Sequence, residues 1–316
     1  MRAMLFYSTA LLLLAFVGSL LQQSFGLAGV VAYELAFFLG LAVFFAVAVE
    51  WRPVRELFRL KPLSLNGIIR SIFAGVLAWA LAQVLGTLLV FLVERAGGRI
   101  PATHELLSQA PFLVALLVGG LLPAVAEEMA FRGYVQWSLG PLGGRAAVLL
   151  TGVLFGAMHL TFIRVLPLVV LGLVFSEAAR RAGSIFPSMI MHFTNNGILL
   201  SLAFFFKPGK PLPGLDPMPM DTPWVTVLVL VTSLIPLSLL AWMLARSFGP
   251  DDVKGRAAPA PLPVPSPTPS PTPSPAPSPL EEERQQPAWA LLLPLIPAVL
   301  LYGLAAWQEW HMVFKR

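Results

Sequence analysis

Apolar runs about as long as a bilayer is thick recur along this chain, and they leave few folds open. A helix needs about 20 apolar residues to cross the hydrocarbon core. Such runs lie near 4–21, 27–49, 68–93, 111–138, 145–161, 163–180, 184–206 and 223–245, with a ninth near 288–307. The expected fold is all-α: a polytopic transmembrane bundle of about eight helices, plus a C-terminal hydrophobic helix after a proline-rich linker. Composition agrees, with 57% hydrophobic and only 12% charged residues. A soluble domain carries roughly twice that charged fraction. The net charge of +5 would raise the question of nucleic acid in a soluble protein. Here the basic residues fall mostly in loops, where they set topology, and no nucleic-acid partner is expected. Cysteine is absent, which removes disulfides, thiolate metal sites and a cysteine nucleophile.

Arg2 and the apolar run after it resemble a signal peptide. The run is long for an h-region and lacks a convincing small-residue cleavage site, so it reads as a first transmembrane helix. The organisation expected is N-terminal helices over 1–100, a bundle with the polar residues and a following helix over 101–247, a linker over 248–287, and a C-terminal helix with a basic tail over 288–316. Residues 103–109 suit a short interfacial helix. From Pro259 to Pro279 nearly every second residue is proline, which dictates extended polyproline II and no core. At about 3.1 Å per residue it reaches roughly 60 Å. It reads as a spacer, with a docking site for a proline-binding domain as the alternative.

With the N-terminus inside, cytoplasmic loops hold Arg52, Arg55, Arg59, Lys61, Arg145, Arg180 and Arg181, and outer loops hold fewer cations. That bias favours a cytoplasmic N-terminus. The last helix fits less well: its tail, Lys315 and Arg316, falls outside, and Pro294 and Pro297 interrupt it. A re-entrant or poorly packed segment is expected there. Trp51, Trp79 and Trp137 read as belt anchors near span ends.

Two adjacent glutamates, Glu127 and Glu128, sit inside the fourth run. Carboxylates at membrane depth are costly and mark function by default. Glu128 and Arg132 are i and i+4, neighbours on one helix face. Glu127 turns elsewhere, with no local cation. His159 follows on the fifth run, with Phe155 one turn away to buttress its ring. His192 and Asn196, again i and i+4, lie on the seventh. At 1.5 Å per residue, Glu127, His159, His192 and Asn196 lie roughly 12 to 21 Å from the inner surface. Three helices thus bring polar groups to a similar depth.

Hydrolysis of an acyl bond suits such a set. A glutamate takes a proton from water, helped by a histidine. His192 and Asn196 supply donors to the oxyanion. No serine–lysine dyad is evident. Two histidines and a carboxylate also make a three-ligand zinc site, although there is no HExxH. Carboxylates and histidines at midplane are equally the hallmark of a proton-coupled transporter, but no internal repeat is visible. A catalytically inactive scaffold or immunity protein is a third class, and it would be signalled by loss of Glu127 or His159. Glu34, within the second run, has no obvious partner. His104 and His311 read as solvated or interfacial, and Glu177 with Arg181 as an interfacial ion pair.

The motifs EExxxR (Glu127, Glu128, Arg132), FxxxH (Phe155, His159) and HxxxN (His192, Asn196) resemble the CPBP family, also called Abi, which includes the type II CAAX prenyl endopeptidases. The resemblance covers about residues 110–205. It implies an α-helical intramembrane endopeptidase with a cavity open to the cytosol. Glu127 and His159 would activate water, His192 and Asn196 would form the oxyanion site, and Glu128 and Arg132 would support it. Family sites have been read with and without metal. The metal-free reading, with no cofactor, is preferred because an asparagine beside a histidine suits an oxyanion donor better than a zinc ligand. The expected partners are the lipid bilayer and a membrane-associated protein or peptide substrate, with lipidation of that substrate left open. The location expected is a bacterial inner membrane.

Overall fold

The computed structural model describes residues 1–98, 106–205, 234–240, 243 and 292–314, and among these there are helices and no strand. The helices that carry the architecture are α1 Arg2–Phe25, α2 Leu27–Val49, α3 Leu65–Arg95, α4 Phe112–Ser138, α5 Gly144–Met158, α6 Val165–Ala182, α7 Phe186–Phe205 and α8 Ile296–Phe314. By length and composition, α1 to α4 can each cross a membrane; α5 is apolar but shorter. Large apolar side chains such as Phe16, Leu20, Phe25, Phe73, Leu113 and Leu149 are exposed on the outside. In water so much apolar surface promotes association. In lipid it is the contact surface, and the protein is an integral membrane protein. Of the expected span 223–245, residues 234–240 are helical. The proline-rich stretch Pro259–Pro279, His104 and the Lys315–Arg316 tail lie outside the described residues, and residues 106–109 form a 3₁₀ turn.

α1 and α2 form a hairpin that turns on Gly26, whose φ of 56° and ψ of −127° suit only glycine. Glu50 ties the hairpin to α4. It takes a 2.7 Å bond from Arg2 and a 3.0 Å bond from the Tyr134 hydroxyl. The start of α1, the end of α2 and the end of α4 therefore share one surface of the bundle.

Two apolar clusters fill the interior. One joins α1, α2, α4 and α5 through Phe6, Phe38, Phe131, Tyr134 and Phe155. The other joins α3, α6 and α7 through Ala78, Leu171, Phe175 and Met191. α5 and α6 pack as an antiparallel hairpin at very close range. A Cβ on Gly172 would fall 2.6 Å from the Gly152 carbonyl oxygen and 2.9 Å from its Cα. Only paired glycines permit this, as in other small-residue membrane contacts.

The final helix touches the body at both ends. Just before it, the Pro294 carbonyl accepts from Ser8 Oγ of α1, and its far end is clasped to the loop after α5. One sequence expectation is corrected. Trp79 lies mid-helix in α3 with a buried, unpartnered indole N–H, so it is no belt anchor. Arg59 lies in the loop between α2 and α3, as expected, but it is half-buried, with a positive φ of 53°, and its Nη2 donates to the Arg132 carbonyl and to Gln136 Oε1. Burial lowers its guanidinium to about 10, which still leaves it charged at neutral pH.

Candidate active site

The charges of α4 are accommodated first. Arg132 and Glu128 are both fully buried and joined by a 2.7 Å ion pair. Two bare charges at this depth would be prohibitive, so each must find further partners. Arg132 Nε donates to Ser176 Oγ at 3.2 Å, and Nη2 to the Gly172 carbonyl at 2.9 Å. Its guanidinium carbon lies 4.4 Å from the centre of the Phe155 ring and 5.4 Å from that of Phe175. Glu128 Oε1 also accepts a 2.9 Å bond from His192 Nδ1, so this oxygen joins α4 to α7. The His192 ring is stacked on Phe175, at 5.5 Å.

Glu127 is left out of this network. Its Oε2 is buried and has no hydrogen-bond partner. The backbone of α4 widens into i→i+5 turns at Leu117–Leu121 and Met129–Val135, on either side of the turn that carries Glu127. Such widened turns are frequent at functional sites.

His159 was expected inside a helix. α5 instead stops at Met158, with His159 as the residue that ends it. The carbonyl of Phe155 loses its backbone donor there, and the ring replaces it: His159 Nδ1 lies 3.0 Å from that oxygen. A carbonyl only accepts, so Nδ1 carries the proton and a neutral ring keeps a lone pair on Nε2. Phe155 packs edge-on against His159 at 5.2 Å and against His192 at 5.9 Å. The following residue, Leu160, takes a positive φ of 51°.

Asn196 has a second task that its sequence position did not announce. Pro123 lacks the N–H that would bond the Gly119 carbonyl within α4. Asn196 Nδ2 donates to that carbonyl at 3.1 Å. A neighbouring helix thus satisfies a group freed by proline, as membrane interiors require. One amide hydrogen remains. Asn195, which the sequence reading passed over, is buried, donates to Asn196 Oδ1 at 2.9 Å, and leaves its own Oδ1 unpartnered.

A cavity of about 260 Å³ collects these groups: Glu127, His159, His192, Asn195 and Asn196 all line it. Glu128 and Arg132 lie behind it, holding His192. Tyr33 and Glu34 also line it, from α2, although no nearby motif marks them. The only signal for Glu34 was a charge in an apolar run. As for zinc, no three His, Cys, Asp or Glu side chains among the described residues are grouped to hold one metal ion.

The loop beyond His159 is held from α8. Glu309 accepts from Thr161 Oγ1 at 2.8 Å and from the Phe162 N–H at 2.5 Å. Glu309→Ala removes two charge-assisted bonds, worth about 1.5–3 kcal/mol each. Amide exchange in residues 160–164 is expected to accelerate while α4 stays protected. Unchanged exchange in that loop would mean the clasp does not hold it.

Fold and site together define a polytopic helical membrane protein with a shielded cavity lined by carboxylates and imidazoles. Residues 109–198 match the family model described as type II CAAX prenyl endopeptidase Rce1-like. The segment from just before α4 into α7 is thus similar to the Rce1-like domain of a CAAX-type intramembrane protease family. Neither the curated proteins nor the solved structures gave a match.

Proposed function

We propose that the protein is an intramembrane endopeptidase that hydrolyses a peptide bond of a membrane-associated protein or peptide. One observation carries this reading: Glu127, whose buried Oε2 has no hydrogen-bond partner, shares a cavity with His159, His192 and Asn196. Glu127 takes a proton from a water that His159 Nε2 helps to orient. The water oxygen adds to the peptide carbonyl. Negative charge then develops on the carbonyl oxygen, where His192 Nε2–H and the remaining Asn196 amide hydrogen stabilise it. Because His192 Nδ1–H already faces Glu128, donation from Nε2 uses the ring with a hydrogen on both nitrogens. No metal takes part in this scheme. The proposed setting is a bacterial inner membrane with a cytoplasmic N-terminus, and a spacer role for Pro259–Pro279.

The test compares new protein N-termini in membranes that express the wild type or Glu127→Gln at matched levels. Removing a general base costs on the order of 10²–10⁴-fold. Cleavages should therefore appear with the wild type alone. Identical termini from both proteins, with both folded, would move the reading to a transporter or scaffold.

A further inference from the structure

A second cavity, of about 280 Å³, lies between the α1–α2 hairpin and the site; Ser19 and Gln22 of α1 contribute to its wall. Four residues line both cavities: Tyr33, Glu34, Glu127 and His159. Glu34 is only 4% exposed, and its Oε2 is buried with no hydrogen-bond partner. The same holds for Glu127 Oε2. The two carboxylates thus stand at one partition, each with an oxygen that no protein donor satisfies.

No lysine or arginine lines either cavity. The groups that face Glu34 are Tyr33 on its own helix, Glu127 from α4, His159 from α5 and His192 from α7; α1 offers only the neutral Ser19 and Gln22. Arg132 acts on Glu127 electrostatically from the same helix, but its hydrogen bonds go to Glu128, Ser176 and Gly172. Two neighbouring carboxylates with no cation hydrogen-bonded to either disfavour double ionisation in a medium of low dielectric constant.

We propose that Glu34 is the second carboxylate of the site, holding the proton of the pair while Glu127 acts as base. This rests on the endopeptidase reading, and it places a catalytic residue outside the segment similar to the Rce1-like domain. The proton balance closes. Water gives a proton to Glu127 and its oxygen to the carbonyl carbon. As the C–N bond breaks, its electron pair stays on nitrogen, which takes the proton of Glu34. One molecule of water has been consumed and the pair again holds one proton, now on Glu127. Transfer back to Glu34 resets the site.

The test uses purified full-length protein in lipid nanodiscs and needs no substrate for its first arm. Infrared difference spectra recorded across pH report protonated carboxyl groups. The wild type should show one such carbonyl band at neutral pH. Glu34→Gln should remove it. Glu127→Gln should keep it, but the band should vanish at a lower pH because the neighbouring charge is gone. Absence of the band in the wild type, or its survival in Glu34→Gln, would overturn the assignment. The second arm measures hydrolysis of a peptide that carries a cleavage site found by the N-terminus comparison. Glu34→Gln should lower kcat on the order of 10²-fold with KM unchanged. Wild-type turnover in that variant would remove Glu34 from the reaction. If the band behaves as expected but the wild type cleaves nothing, the carboxyl pair stands and the protease reading fails.

Discussion

Arg132→Met is expected to unfold the site. The substitution leaves Glu128 buried without its 2.7 Å partner, and breaking a buried pair from one side costs about 3–5 kcal/mol. It also abandons Ser176 Oγ and the Gly172 carbonyl, and removes the cation above Phe155. The variant should melt well below the wild type in the same detergent and should not cleave. Pairing it with Glu128→Gln removes the stranded charge and should restore part of the lost Tm. Activity should not return, because His192 then loses the carboxylate that orients Nδ1. Arg132→Met with wild-type Tm would show that the ion pair is not what holds α4 against α6 and α7.

The second large effect is steric. Gly172→Leu places side-chain atoms against the Gly152 backbone, where even a Cβ would lie 2.6 Å from the carbonyl oxygen. Backbone cannot swing aside like a flexible side chain, so α5 and α6 must separate. Overpacking of this kind costs about 1–3 kcal/mol. The larger loss falls on function. α5 ends in His159 and the Gly172 carbonyl receives Arg132, so both sides of the cavity shift. A misplacement of about 1 Å can cost on the order of 10²-fold in rate. Measured at equal amounts of folded protein, Gly172→Leu should lose cleavage far beyond its loss of Tm. A variant that cleaves normally would mean that the close approach is dispensable.

Much of the site was legible because its first contacts are local. Spacing of i and i+4 put Glu128 beside Arg132 and Phe155 beside His159, and these contacts need only one helix. Run length likewise announced the helices, since it reflects the thickness of the solvent. What escaped depends on which helix lies opposite. Nothing in the periodicity of α2 says that Glu34 faces Glu127. Nothing near Arg59 says that it reaches the Arg132 carbonyl. Asn196 was read as a free donor because the carbonyl it serves is created by Pro123, on another helix. His159 was placed within a helix because apolar residues continue past it, whereas its own ring competes for the last-turn carbonyl and ends the helix.

α8 behaves thermodynamically as a ligand of its own protein. It meets the body through Ser8 at one end and Glu309 at the other, contacts that would hold two separate chains only weakly. The covalent tether changes that arithmetic. Binding becomes intramolecular, with an effective concentration set by the reach and stiffness of the span of chain that precedes it. A long proline-rich insertion is therefore compatible with a docked final helix wherever its reach matches the distance to be spanned, and the clasp on the loop after His159 then depends on the length of that insertion.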